Sequence, residues 1–294
     1  MYHCHLLVTL ALVVAVLGAP PTHHHLQDGL TIVGGDVAAR GQFPYQVSFQ
    51  ERVLGVWLHF CGGTIIHPGF VLTAAHCVEG ADFTDPKGLR CGVVLCGVVQ
   101  CGVVKCGVER CGAQYRVVAG ELDLHHVEGD EQIVHINFIV EHPYYDPITY
   151  ENDIALLRLE EPLVYSEIVG QLELPPPGQN ITGELCRVSG WGRTQEEGLS
   201  SGVLLYVDMP VVSDAHCRDA YTHDEIMDSM LCAGWEEGGK GPCQGDSGGP
   251  LECGTSLAGV VSWAYGCARP GVPQVFTEVS YFLDWIHSHL PIDE

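Results

Sequence analysis

The stretch Gly241-Pro242-Cys243-Gln244-Gly245-Asp246-Ser247-Gly248-Gly249-Pro250 constrains this chain more than any other. A serine flanked by so much glycine has no side chains crowding its hydroxyl. Glycine also lets neighbouring backbone N–H groups turn toward whatever the hydroxyl attacks. Alone, a serine hydroxyl is a weak nucleophile at neutral pH; it needs a base, and the base needs a group to hold it. The chain supplies candidates for both. Thr73-Ala74-Ala75-His76-Cys77 lies upstream, and Glu151-Asn152-Asp153-Ile154-Ala155-Leu156-Leu157 lies between.

The order His, Asp, Ser is that of the chymotrypsin arrangement among the known triads. On these three motifs the chain resembles the chymotrypsin/trypsin family of serine proteases, from Ile32 to the C-terminus with one interrupting segment. The resemblance implies an all-β fold of two antiparallel six-stranded barrels with the cleft between them. It also implies acyl transfer to water. Ser247 attacks the carbonyl, His76 takes the proton and later gives it to the leaving amine, and Asp153 orients the imidazole. The N–H groups of Gly245 and Ser247 hold the oxyanion, and no cofactor is required.

The residue pattern agrees with an all-β reading. Short β-rich runs at 45–49, 64–66 and 70–72 alternate with Gly and Pro turns, and further runs follow at 116–119, 132–140, 203–212 and 257–263. His76 follows one such run, and Asp153 begins another that heads into the core. The first barrel is expected over about 45–160. A Pro-rich linker at 162–178 precedes a second barrel at about 180–277. Val279, Phe282, Leu283, Ile286 and Leu290 recur at helical spacing, so a C-terminal helix is expected over 279–290.

An apolar run at 6–17 ending near Gly18 and Ala19 is too short to span a bilayer and reads as a signal peptide, residues 1–18. A polar pro-segment with His23-His24-His25 follows at 19–31, read as a solvated tail. The peptidase domain is then 32–294. The family resemblance implies a zymogen: cleavage before Ile32 frees an ammonium that pairs with Asp246 and fixes the Gly245–Ser247 backbone. Leu30-Thr31 precedes Ile32, so a trypsin-like activator should cut there poorly. Thr31 is itself small and neutral, which admits self-processing. With 13 basic against 37 acidic residues, the formal charge is −24. Such a field repels nucleic acid and anionic membranes and favours cationic ligands; self-repulsion in a secreted, extracellular monomer is the plainer reading. The expected partners are protein or peptide substrates and protein protease inhibitors.

Of 14 cysteines, Cys4 leaves with the leader and five lie in a repeat, leaving eight. Sequence alone does not give their connectivity. The resemblance implies Cys61–Cys77, Cys186–Cys253, Cys217–Cys232 and Cys243–Cys267. The repeat, residues 91–112, runs Cys-Gly-Val-Val with period five. Five residues on a helix advance by roughly 140° beyond a full turn, and on a strand they reverse the face, so neither geometry gathers the thiols. It is read as a tandem expansion in a surface loop or an error in the coding sequence.

Specificity departs from trypsin. Where trypsin carries a carboxylate six residues before the nucleophile, this chain has Gly241. The pocket walls are expected from Ser262, Trp263, Ala264 and Gly266, with Ala264 and Gln274 at positions that are glycine in many relatives. The expectation is a shallow, uncharged, elastase-like pocket for small or medium neutral side chains. The resemblance also implies calcium between Glu121 and Glu131 with backbone oxygens of Asp123 and His126; the alternative is a solvated acidic loop. Asn180-Ile181-Thr182 is an N-glycosylation pattern. The rival readings are a catalytically inactive homologue serving as a binding or regulatory module, and a chain whose repeat prevents folding.

Overall fold

The computed structural model describes residues 32–79, 114–221 and 225–291. The expected leader, the pro-segment and the Cys-Gly-Val-Val repeat lie outside the described residues.

Six strands close the first barrel: β2 (Gln46–Val53), β3 (Val56–His67), β4 (Phe70–Thr73), β5 (Tyr115–Ala119), β6 (Gln132–Glu141) and β7 (Ala155–Leu159). Their order around the ring is β2-β3-β4-β7-β6-β5, all antiparallel. Val47, Phe49, Ile65, Val71, Leu72, Val117, Ala119, Ile136, Leu156 and Leu157 fill its interior. β2 and β3 run well past the apolar stretches that mark them in the sequence. They extend as a two-stranded hairpin whose tip carries Leu54 and Gly55.

The second sheet orders β1 (Asp36–Val37), β9 (Leu205–Pro210), β8 (Leu185–Gly190), β11 (Pro250–Cys253), β12 (Ser256–Trp263), β13 (Gln274–Glu278) and β10 (Met230–Ala233). A bridge between Val211 and Ala233 brings the end of β9 back to β10, so the six longer strands form a ring. β1 is an added edge: it stitches the segment after Ile32 onto β9. Polar side chains seam the two units. Ser189 Oγ donates to Gln46 Oε1 at 2.7 Å, with both residues buried.

Within the linker, Leu163, Val169 and Leu172 pack into the first core. The expected C-terminal helix begins as a 3-10 turn, Val279–Phe282, before α2 (Leu283–His289). Val279, Phe282 and Ile286 reach back into the core of the first barrel, so this last element crosses to the opposite unit. A short helix that the apolar pattern did not mark, α1 (Asp214–Ala220), is capped by Ser213 Oγ accepting from His216 N at 3.2 Å. The four expected disulfides are present: Cys61–Cys77, Cys186–Cys253, Cys217–Cys232 and Cys243–Cys267.

Candidate active site

β4 delivers His76. The strand ends at Thr73, and a single 3-10 turn, Ala75–Cys77, lifts the imidazole out of the barrel wall. The Cys61–Cys77 bridge anchors that turn to β3. Sulfurs of this bridge lie near the His76 ring, but they are bonded to each other and are not metal ligands.

Asp153 stands just before β7 and has no exposed surface. Its carboxylate accepts three hydrogen bonds. His76 Nδ1 donates to Oδ2 at 2.7 Å, His76 N donates to Oδ1 at 2.8 Å, and Ser262 Oγ donates to Oδ2 at 2.5 Å. Thr277 Oγ1 donates to its backbone carbonyl at 2.6 Å. Ser262 and Thr277 come from the second unit, so Asp153 is held from both sides of the interface, at its carboxylate and at its backbone. The turn into Asp153 is strained: Tyr150 (φ 57°) and Asn152 (φ 58°) are left-handed non-glycine residues. Tyr150 there sets its ring edge-on to His76, centroids 5.7 Å apart.

Ser247 is half-buried, and its backbone is fastened to the first barrel by Gly62 N donating to Ser247 O at 2.8 Å. Gly248 shows how close the approach is. Its φ is +77°, and a Cβ there would lie 2.2 Å from Thr73 Oγ1, at the end of the strand that launches His76. The glycine run therefore lets the Ser247 loop abut the His76 turn.

Asp246 is fully buried beneath this loop. Its carboxylate accepts from Gly192 N at 2.7 Å and Cys243 N at 2.9 Å. Burial nonetheless pushes its pKa up to about 7, the two N–H bonds offsetting only part of the desolvation. Side chains at Gly190 or Gly192 would collide with it, at 2.2 and 2.3 Å. Ile32 has no exposed surface and belongs to the buried apolar cluster that includes Cys186, Val188, Leu205, Val207 and Met209.

His59 was not singled out from the sequence, and lone histidines carry no signal there. It bridges Ser48 Oγ at 2.9 Å and the Gly245 carbonyl at 3.0 Å, with its ring edge-on to Trp191 at 5.4 Å. Burial lowers its pKa to about 4, so it is neutral at pH 7. It thus holds the Gly245 carbonyl, two residues before Ser247.

Around the expected pocket, Gly241 N donates to Val33 O at 3.1 Å, and Cys243–Cys267 ties its two rims. Gln274 opens β13 with its Cγ 3.4 Å from where a Gly241 Cβ would sit. Trp263 is held by edge-on contacts to Tyr221 and Tyr265, and Gly266 N donates to Ala264 O at 3.1 Å. The Ser262 hydroxyl, on the expected pocket wall, is committed to Asp153. Arg269 lies over Gly266 and pairs with Glu196 through two hydrogen bonds, Nε donating at 2.9 Å.

In the acidic loop, Glu121, Glu128 and Glu131 bring carboxylate oxygens within 4.8 Å of one another. Glu128 was absent from the expected set. The Asp123 carbonyl accepts from His126 N at 2.9 Å. Burial, with Glu131 and Glu128 beside it, lifts Glu121 to about 7. Arg40 approaches the same loop, donating to the Gly120 carbonyl and to Asp130. Asn180 is exposed, its Oδ1 accepting from Thr182 N at 3.0 Å.

The family model described as Trypsin matches residues 32–97 and 100–286. Trypsin-1 of Astacus astacus is 47% identical over 262 residues, covering 88% of this chain and 99% of its own. Serine protease 1 of Rattus norvegicus is 38% identical over 281 residues, covering 95% and 96%. Trypsin of Squalus acanthias is 37% identical over 256 residues, covering 87% and 94%.

Proposed function

Since this chain belongs to the trypsin family of serine endopeptidases, we propose that it cuts peptide bonds after small or medium uncharged side chains, with Ser247, His76 and Asp153 as its catalytic residues. Ser247 Oγ attacks the scissile carbonyl carbon as His76 Nε2 takes its proton. The carbonyl oxygen becomes an oxyanion held by the N–H groups of Gly245 and Ser247. Collapse expels the amine, which takes the proton back from His76, and leaves an acyl-enzyme. Water, deprotonated by the same imidazole, releases the acid. Asp153 keeps the proton of the resting ring on Nδ1 and stabilises the imidazolium. The observation that carries this reading is the 2.7 Å contact between the His76 ring and a buried carboxylate, on a turn that touches the nucleophile loop.

The preference for neutral side chains rests on Gly241 and Gln274, which place no charge where a basic side chain would need a carboxylate. The chain is made as a zymogen. Cleavage before Ile32 supplies an ammonium to Asp246, a buried acid whose hydrogen-bond donors among the described residues are two neutral N–H groups. The apolar run at 6–17 and four disulfides support export to an oxidising compartment as a monomer, with a glycan on Asn180 and protein inhibitors among its partners. Among the described residues no helix is long and apolar enough to cross a membrane.

A fluorophosphonate probe tests the core of this reading. The activated protein takes up one label, on Ser247, and the Ser247→Ala protein takes up none; an unlabelled but folded protein would be a binding module instead. A peptide panel tests the pocket, and fastest cleavage after Arg or Lys sinks that part alone.

Calcium fits the acidic loop, a hard cation among three carboxylates that Arg40 only partly offsets. Glu121, Glu128 and Glu131 would hold it. Millimolar calcium is expected to raise Tm by several degrees at pH 8, and Glu121→Gln to remove most of that rise. An equal rise in both proteins counts against the site.

A further inference from the structure

Gln274 carries an unpaired polar atom. The residue is 6% exposed, and its Nε2 is buried with no hydrogen-bond partner among the described residues. Buried amide donors are almost always satisfied, because an unsatisfied one forfeits its hydration without return. Among the described residues five buried side-chain polar atoms lack a partner, and two of them, Trp263 Nε1 and Gln274 Nε2, come from the expected pocket walls. The atoms nearest the point where a Gly241 side chain would begin are Gln274 Cγ (3.4 Å), Ala268 Cβ (3.6 Å) and Met209 Cε (3.7 Å). All three are carbon, so the Gln274 amide is the polar end of the one side chain among them that carries a hydrogen-bond donor. Two cationic side chains of the adjoining segments are engaged elsewhere: Arg269 pairs with Glu196, and Lys240 Nζ lies over the Trp235 ring.

We propose that Gln274 selects substrates with a side-chain amide, asparagine or glutamine, before the scissile bond. The inference rests on the reading of Ser247 as nucleophile and Gly241 as the pocket floor, and narrows the neutral class named there. The substrate's side-chain carbonyl accepts from Gln274 Nε2, and its NH2 can be returned to the oxygen of the same amide. Leucine and methionine, nearly the same size as asparagine and glutamine, leave the donor unpaired. A site that hydrogen-bonds its ligand discriminates against an isostere lacking the polar group far more strongly than an apolar slot discriminates by size. Aspartate and glutamate are refused because an ionised carboxylate would be buried against a neutral amide with no cation.

The test uses fluorogenic peptides that differ only in the residue before the cleaved bond, with the activated enzyme shown to label at Ser247. Wild-type kcat/KM is expected to favour asparagine over leucine, and glutamine over methionine, by at least tenfold. In Gln274→Met, which removes the donor at nearly constant length, both ratios should fall by at least tenfold, chiefly through slower cleavage of the amide substrates. Labelled wild-type enzyme that cuts leucine and methionine peptides as fast as their amide counterparts overturns the proposal and leaves the peptidase reading standing. The wild-type comparison needs no variant, so it decides even if Gln274→Met does not fold. Ratios unchanged in a folded, labelled Gln274→Met protein also overturn it. Failure to label at all removes the peptidase reading, and the inference with it.

Discussion

Asp153→Asn is expected to lower kcat by about 10⁴-fold, a magnitude carried over from the same triad in other enzymes, with little change in KM or Tm. The hydrogen bonds around Asp153 explain why the loss should be so large. The carboxylate only accepts, and three donors converge on it: the His76 backbone N–H at Oδ1, and His76 Nδ1 with Ser262 Oγ at Oδ2. An asparagine has one accepting oxygen and one donating NH2. The backbone N–H of His76 cannot become an acceptor, so the amide oxygen must take the Oδ1 position. That turns the NH2 toward Nδ1. The Ser262 hydroxyl can rotate to accept, but the imidazole can adapt only by moving its proton to Nε2. A ring protonated on Nε2 cannot receive the proton of Ser247. Nitrogen-resolved NMR of the His76 ring should find the proton on Nδ1 in the wild type and on Nε2 in the variant, and fluorophosphonate labelling should slow in step with kcat. An Asp153→Asn enzyme within tenfold of wild type would show that some other group sets the tautomer.

The three motifs that made this arrangement legible are short, local and rich in residues with few other uses. His76 sits in a string fixed by a half-cystine, Ser247 among glycines, and Asp153 at the head of an apolar strand. The β pattern was legible for the same reason: apolar alternation and turn residues are local signals. What escaped the sequence reading depends on partners distant along the chain. His59 matters only because Gly245, 186 residues away, brings its carbonyl to Nε2. Ser262 reads as pocket wall alongside Trp263 and Ala264; that its hydroxyl also turns to Asp153, 109 residues upstream, is not legible locally. Glu128 joined Glu121 and Glu131 only once the loop was folded. Helix α1 was invisible to hydrophobic periodicity because seven residues bury a single side chain, Cys217. Its start was nonetheless written in Ser213 followed by Asp214, a capping signal rather than an apolar one.

Two titrating groups behind the Ser247 loop should give the uncut protein a pH response that only single variants reveal. Asp246 has its folded pKa raised from 3.8 to about 7. Between those values the folded chain keeps a proton that the unfolded chain has lost. Stability from this group is complete below pH 3.8 and falls as pH rises, by about 4 kcal/mol over the window. His59 works in the opposite sense, with its folded pKa lowered from 6.5 to about 4 by burial. There the unfolded chain binds the extra proton, so stability is complete above pH 6.5 and falls as pH drops toward 4. The effect is about 2–3 kcal/mol, discounted because the ring keeps some contact with solvent. From pH 4 to 6.5 the two slopes largely cancel. Chemical denaturation of the uncut Ser247→Ala protein, which cannot digest itself, should therefore show only a shallow trend from these groups. Adding Asp246→Asn should leave a stability that climbs from pH 4 to 6.5; adding His59→Gln should leave one that declines from pH 4 to 7. Titrations elsewhere are common to all three proteins and drop out of the differences. Cleavage before Ile32 gives the sharper contrast. If the new ammonium pairs with Asp246, that acid is ionised across the range and its decline disappears, so cut and uncut proteins diverge most near pH 7 and converge toward pH 4. Parallel pH profiles for the cut and uncut chains would mean that the freed amino group never reaches the buried carboxylate.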